Sequence, residues 1–182
     1  MNHFPDVMVD LETTGTSPDE TAIIQIAAVR FNLAEGTVDP NVFDQALLMP
    51  PTRYWDEGTR RWWSNKREVF QSIYNRARPP ELVLQNFANW VREGYSGNPI
   101  FWSKPISFDW PFLQSYFREF EIGNPFHYRA AENLNTFVRA RHFPNPPPEY
   151  EKLLPFDGDE HDALSDVFHQ LKVLFQCYED TK

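Results

Sequence analysis

Apolar runs along the chain predict a set of strands near its start and one near its middle. Residues 7–12, 22–31 and 42–49 contain apolar, partly β-branched runs that are joined by short connections. Three consecutive strands of this kind favour an antiparallel arrangement. A shorter apolar run at 100–102 predicts a further buried strand.

Other stretches repeat apolar residues every three or four positions, which is the periodicity of an amphipathic helix. These helices are expected over 59–75, as short pieces, and over 81–93, 109–120 and 163–178. Residues 126–141 are expected to hold a strand and a helix, and the proline-rich residues 144–155 predict a loop. This order of elements predicts an α/β fold, with a mixed sheet of three antiparallel strands plus parallel strands flanked by helices.

Composition adds that the chain is of a globular type. Its 182 residues are 41% hydrophobic and 24% charged, which predicts a single domain over residues 1–182 and excludes a disordered or fibrous protein. Neither a signal peptide nor an apolar run of about 20 residues is visible, so we expect a cytoplasmic protein with no membrane partner. Cys177 is the single cysteine, which excludes an intramolecular disulfide and a thiolate-rich zinc site.

The net charge of −9 argues against a protein that wraps duplex DNA with a broad basic surface. Charge is nevertheless uneven, because residues 53–78 hold seven basic and three acidic residues and so carry +4. Aromatic residues that include Trp62 and Trp63 lie between these cations, a combination that suits single-stranded nucleic acid. The alternative is that both tryptophans belong to the core and the arginines form a solvated helix face.

Asp10 and Glu12 are the first candidates for chemistry. They lie two residues apart on a predicted strand, so their side chains share one face. Adjacent carboxylates repel each other, and a hard divalent cation with oxygen ligands would relieve that repulsion. Taken alone, the pair would be interpreted as a solvated strand end.

Two more acidic groups open predicted helices. Asp109 follows the strand at 100–102 and would by itself be interpreted as a helix cap. Asp166 lies near the apolar stripe of the last helix, where a carboxylate needs a partner. His161 precedes it and would alone be an ordinary loop histidine, and the adjacent Asp162 is interpreted as a bystander.

The ordered combination of these motifs resembles the DEDDh superfamily of 3′-to-5′ exonucleases, which has a ribonuclease H-like fold. The motifs are Asp10-x-Glu12-Thr13-Thr14-Gly15, then Phe108-Asp109, then His161-x4-Asp166. Trp62-Trp63 before the second motif is similar to the branch of exodeoxyribonuclease VIII and phage exonuclease A. The segment before Asp109 departs from many relatives, which have Asn or His there.

The resemblance implies an enzyme that hydrolyses single-stranded DNA from its 3′ end and releases nucleoside 5′-monophosphates. Two divalent ions, Mg²⁺ or Mn²⁺, would be held by Asp10, Glu12, Asp109 and Asp166. His161 would act as the general base, because a histidine accepts protons near neutral pH.

Substrate contacts are expected at a further set of residues, namely Thr13, Thr14, Gly15, Trp62, Trp63 and Phe108. Two alternatives stay open: an exoribonuclease that trims RNA 3′ tails, and a non-catalytic module that binds nucleic acid. The aromatic content also permits a homodimer without locating an interface.

Overall fold

The computed structural model of the protein describes residues 4–93 and 97–182. Its strands are β1 (Asp6–Thr13), β2 (Ile23–Asn32), β3 (Thr37–Val38), β4 (Phe43–Ala46), β5 (Ile100–Ser103) and β6 (Ala131–Asn133). Its helices are α1 (Glu57–Ser64), α2 (Arg67–Asn75), α3 (Pro80–Arg92), α4 (Ile106–Glu119), α5 (Leu134–His142), α6 (Tyr150–Leu153) and α7 (Ala163–Asp180).

The strands form one mixed sheet in the order β3-β2-β1-β5-β6, with β4 also paired to β2. Strand β2 runs antiparallel to β1, β3 and β4, whereas β5 is parallel to both β1 and β6. The predicted α/β class, with three antiparallel strands plus parallel strands, is therefore confirmed. No helix in the described ranges is both long enough and apolar enough to cross a bilayer.

Strand β1 is buried between two apolar layers, which determines where its acidic residues point. Val7, Val9 and Leu11 pack with α3 and α4 on one side of the sheet. Met8 packs on the other side, with residues of α7. Because side chains alternate along a strand, Asp10 follows Met8 onto the α7 side.

The structure corrects the predicted elements in four places. Helix α4 begins at Ile106 rather than at residue 109, because Ile106 extends its apolar face by a turn and packs on the core. Helix α6 lies inside the segment predicted to be a loop, and its Tyr150 is buried and donates a hydrogen bond of 2.9 Å to Asp180. Strand β3 was not predicted, and β4 is shorter than the expected strand over 42–49.

Candidate active site

Asp10 and Glu12 occupy the end of β1 that extends beyond its neighbour β5. The two strands pair from Asp6 with Ile100 to Met8 with Trp102, so the last part of β1 has no paired residue on that side. Glu12 is only 9% exposed. The predicted pair of carboxylates on one strand face is therefore present, but it is not a solvated strand end.

Both carboxyl groups of this pair resist ionisation. Burial raises the pKa of Asp10 well above its ordinary value, and the charges of Asp109 and Asp166 raise it further. Burial likewise raises the pKa of Glu12, with Asp10 and Asp166 adding to the effect. Four acidic side chains from three elements therefore lie close enough to repel one another.

Asp109 reaches this cluster from the first turn of α4. It is 2% exposed, and its Oδ1 accepts a hydrogen bond of 3.2 Å from the backbone N–H of Leu11. The side chain thus bonds to β1 beyond the end of β5, and Pro105 rather than Asp109 is the N-cap of the helix. Interpreting Asp109 as a simple helix cap is therefore wrong.

The ionised form of Asp109 is poorly stabilised by its surroundings. Its Oδ2 is buried and has no hydrogen-bond partner among the described residues. Burial raises its pKa to about 7, and the nearby Ser103 hydroxyl offsets only part of that rise.

His161 and Asp166 enter the site from the beginning of α7. The backbone of His161 is left-handed, with φ of 65°, and its N–H donates a hydrogen bond of 3.0 Å to Asp166 Oδ2. Burial raises the pKa of Asp166 to about 6. A ring nitrogen of His161 lies within 4.8 Å of a carboxylate oxygen of Asp166 on α7 and of one of Glu12 on β1.

The site fits a divalent cation on its own geometry. Glu12, His161 and Asp166 each offer one ligand atom, and these atoms lie within 4.8 Å of one another. Buried carboxylates with raised pKa values, together with the unpartnered Asp109 Oδ2, form an oxygen-rich set whose repulsion a cation would relieve. The structure therefore brings the five predicted residues to one place where such an ion would be held.

Two glutamines support the cluster and were not predicted from the sequence. Gln170 Nε2 donates a hydrogen bond of 2.7 Å to Asp10 Oδ1. Gln25, which is fully buried, donates to Asp162 at 3.1 Å and accepts from the N–H of Ala163 at 3.2 Å. Their signals were present in the sequence: Gln170 follows Asp166 by one helical turn, and Gln25 is a polar residue within an apolar strand.

Asp162 has a structural role beside the turn that carries His161. Its Oδ1 accepts the N–H of Ser165 at 3.2 Å and so caps α7. Its Oδ2 lies 3.5 Å from Arg76 Nη2, and Arg76 also bonds to Asp44 at 2.6 Å. The interpretation of Asp162 as a bystander is therefore incomplete, because these contacts hold the backbone directly after His161 in place.

The two adjacent tryptophans have different environments. Trp63 is 3% exposed and donates from Nε1 to the Thr13 carbonyl at 3.0 Å, so it is a core residue. Trp62 is 39% exposed, and its ring meets the His161 ring edge-on with centroids 4.6 Å apart. Lys66 lies above the Trp62 ring at 5.0 Å. Trp62 is therefore the tryptophan that borders the acidic cluster.

The turn after β1 is tightly packed. Thr13 Oγ1 donates to the Gly15 carbonyl at 2.7 Å, and the buried Thr14 hydroxyl donates to the Tyr54 carbonyl at 2.8 Å. A Cβ at Gly15 would lie 2.5 Å from Thr21 Cγ2, so the close approach requires glycine. Substrate contact by these three residues stays a prediction.

Phe108 lies one residue before Asp109 and packs against the core. Its ring is 5.0 Å from that of Phe112, and it is only partly exposed. The side chain therefore has a structural contact, and its predicted contact with substrate stays a prediction.

The basic segment 53–78 is less uniform than its sequence implies. Arg53 is buried and bonded to Glu119 and Ser115, while Arg76 is held by Asp44 and Asp162. The exposed cations of this segment on α1 and α2 include Arg60, Arg61 and Arg67. The positive surface beside Trp62 is therefore narrower than the segment.

A mixed sheet flanked by helices brings four carboxylates and a histidine together, and the sheet has the ribonuclease H-like α/β fold of solved nucleases. The chain belongs to the family described as the 3′-5′ exoribonuclease Rv2179c-like domain, whose sequence profile matches residues 5–178. No curated protein matches the chain in sequence.

Solved nuclease structures share its fold. Cell-death related nuclease 4 aligns with a TM-score of 0.71 at 18% identity, covering 94% of this chain and 64% of that one. The nuclease domain of 3′hExo, a DEDDh family member bound to rAMP, aligns with a TM-score of 0.70 at 17% identity, covering 96% of this chain and 91% of that one. The zinc-bound E. coli exonuclease I complex with single-stranded DNA aligns with a TM-score of 0.68 at 16% identity, covering 93% of this chain and 39% of that one. The chain thus spans less than two thirds of the first and third of these proteins.

Proposed function

We propose that the protein is a metal-dependent 3′-to-5′ exonuclease that releases nucleoside 5′-monophosphates from single-stranded nucleic acid. One observation carries the proposal: ligand atoms of Glu12, His161 and Asp166 lie within 4.8 Å of one another, beside the carboxyl groups of Asp10 and Asp109. Burial and mutual repulsion raise the pKa values of Asp10 and Glu12, and a bound cation would stabilise their ionised forms.

Asp10, Glu12, Asp109 and Asp166 would hold two divalent ions, and Mg²⁺ or Mn²⁺ suits their oxygen ligands. When bound, such ions lower the pKa of water and stabilise charge on a leaving oxygen. Gln170 positions Asp10 through its hydrogen bond of 2.7 Å, and Leu11 positions Asp109 through its N–H at 3.2 Å.

His161 would accept the proton of the attacking water. Burial lowers the pKa of its ring, and the positive charge of Lys66 lowers it further, so the imidazole is neutral at physiological pH. A neutral ring has a nitrogen lone pair that can accept a proton. The His161 ring contacts Trp62, and the backbone N–H of His161 is bonded to Asp166. Both contacts limit how far the His161 ring can move.

The single-stranded nucleic acid would approach along α1. Trp62 offers an exposed ring on which a base can stack, and Arg60 and Arg61 offer cations for the backbone. Thr13, Thr14, Gly15 and Phe108 remain proposed contacts for the terminal nucleotide.

We propose RNA as the substrate, although the sequence alone led us to expect DNA. The family description names an exoribonuclease, and 3′hExo was solved with the ribonucleotide rAMP. The branch of exodeoxyribonuclease VIII, the cytoplasmic location and the homodimer stay predictions.

Matched RNA and DNA oligonucleotides with a 5′ label, incubated with Mg²⁺ or Mn²⁺, test the substrate. A ladder of single-nucleotide steps that forms faster on RNA supports the proposal, and a faster ladder on DNA restores the original expectation. If neither strand is shortened and calorimetry detects no divalent-ion binding, the non-catalytic module is the better account.

A further inference from the structure

Lys104 is a basic residue at the edge of the acidic cluster that the mechanism above does not use. It directly follows β5, which is parallel to β1 with Met8 opposite Trp102. Lys104 comes one residue after Ser103, the last residue of β5, and so lies at the end of β5 beyond which Asp10 and Glu12 extend. Lys104 therefore lies on the β5 side of the cluster, whereas His161 and Trp62 lie on the α1 side.

The charge of Lys104 acts on the cluster itself. The ammonium group of Lys104 is within electrostatic reach of the carboxyl groups of Asp10 and Asp166. An ammonium group that influences two of the four carboxylates lies close to where a phosphodiester would have to bind.

Lys104 has a single ion-pair partner among the described residues, and that partner is easily displaced. Its Nζ lies 2.6 Å from Glu151 Oε1, with the two side chains 24% and 53% exposed. Exposed ion pairs of this kind are weak because water screens them. Helix α6 carries Glu151 and is anchored by the buried Tyr150. A rotation of the Glu151 side chain would therefore release Lys104 while the helix stays in place.

We propose that Lys104 is a substrate-binding residue that exchanges Glu151 for a phosphodiester oxygen of the incoming strand. This inference rests on the proposed function. A nucleic-acid strand carries one negative charge per nucleotide and has to approach four carboxylates, so a cation on each side of them favours its entry. Lysine binds phosphate as a flexible point charge, which suits such an exchange of partners.

The proposal is tested by strand binding in a His161→Ala background, which keeps the strand intact. A 5′-fluorescein single-stranded oligoriboadenylate is titrated in Mg²⁺ over a series of KCl concentrations, with anisotropy as the readout. We expect Lys104→Gln to weaken binding about 10-fold and to reduce the salt slope by about 0.7, the value for one phosphate contact on a single strand. Lys104→Arg should retain the slope.

The partner residue predicts a change of opposite sign. Glu151→Gln removes the competing carboxylate and should tighten binding about 3-fold, because it releases Lys104 for the strand. Lys152→Ala is the matched control, since Lys152 lies on the same helix and pairs with Glu149 at 2.8 Å. Lys152→Ala should change the affinity for the oligonucleotide and the salt slope only as much as the loss of any distant positive charge would.

Three results would overturn the inference: an unchanged salt slope in Lys104→Gln, a loss of slope in Lys152→Ala as large as in Lys104→Gln, or weaker binding in Glu151→Gln. Circular dichroism of each variant shows whether it is folded, and the arginine variant tests the charge if the glutamine variant unfolds. A failure of the proposed function has a different signature, since the protein with His161 intact would then leave every strand uncut.

Discussion

Replacing Asp109 with Asn should stabilise the metal-free protein while abolishing its activity. The substitution keeps the shape of a side chain that is 2% exposed and keeps the acceptor that bonds to Leu11 at 3.2 Å. It removes a charge whose second oxygen, Oδ2, has no hydrogen-bond partner among the described residues. Without a bound cation, that charge is a cost to the fold.

The magnitude follows from the pKa of Asp109, which burial raises from 3.8 to about 7. Between these values the folded protein binds more protons than the unfolded chain, so the stability of the metal-free protein falls as the pH rises through this range. A pKa raised by about three corresponds to a loss of about 4 kcal/mol once the pH is above both values. The buried amide of Asn gives back part of this, because its N–H groups also need partners.

We therefore expect Asp109→Asn to raise the stability of the metal-free protein by about 2 kcal/mol at about pH 8, or about 6 °C in Tm for a chain of this size. The gain should shrink as the pH falls towards 4, where the carboxyl group is protonated in the folded state as well. Thermal unfolding followed by circular dichroism in a chelator, at several pH values, measures both effects.

Glu35→Gln is the matched control, because Glu35 is an exposed acid between β2 and β3. It should change Tm little at any pH. Added Mg²⁺ or Mn²⁺ should stabilise the wild type more than Asp109→Asn, because the variant lacks one ligand. An Asp109→Asn protein that is less stable than the wild type in chelator at about pH 8 would refute the reasoning.

Variants at three further sites test neighbouring parts of the proposed mechanism. Trp62→Ala should lower kcat and change the pH profile of the reaction, because the His161 ring loses its contact at 4.6 Å. Trp62→Phe should retain much of the rate. A change confined to KM would instead assign Trp62 to the binding of the nucleic-acid strand alone. Replacing Arg60 and Arg61 together with Ala should reduce the salt slope of strand binding by about 1.4, whereas an unchanged slope would make them a solvated helix face. Asp162→Ala should lower stability by about 1 kcal/mol through the lost N-cap, measured by denaturant unfolding, and an unchanged midpoint would contradict the capping role.

Local patterns in the sequence were sufficient to predict the sheet and the acidic residues on β1. The apolar alternation over residues 7–12 and the two-residue spacing of Asp10 and Glu12 depend only on strand geometry, which the structure confirms. The class of fold followed because the order of strands and helices permits few arrangements.

Features that depend on distant contacts were not predictable in the same way. The carboxyl group of Asp109 bonds to a strand 98 residues earlier rather than to its own helix, and α6 forms in a proline-rich segment where the side chain of Tyr150 reaches Asp180. The different burial of Trp62 and Trp63 has the same origin, since adjacent residues on a helix face different neighbours.

The supporting polar residues were missed for a further reason. Gln25 and Gln170 have no motif of their own, and each acquires its role from a partner brought to it by the fold. Arg76 similarly appeared to be part of a basic surface, yet it is held by Asp44 and Asp162. Charge counted along the sequence therefore overstated the positive surface available to a strand.

The central claim is that one site binds metal through its carboxylates and uses His161 to accept a proton. The most direct test compares the wild type with His161→Ala and Asp10→Ala in two measurements: release of nucleotides from a 5′-labelled single strand, and calorimetric titration with Mn²⁺. We expect His161→Ala to bind Mn²⁺ but to lose most turnover, whereas Asp10→Ala should lose both. Full turnover by His161→Ala, or an active Asp10→Ala protein, would contradict it.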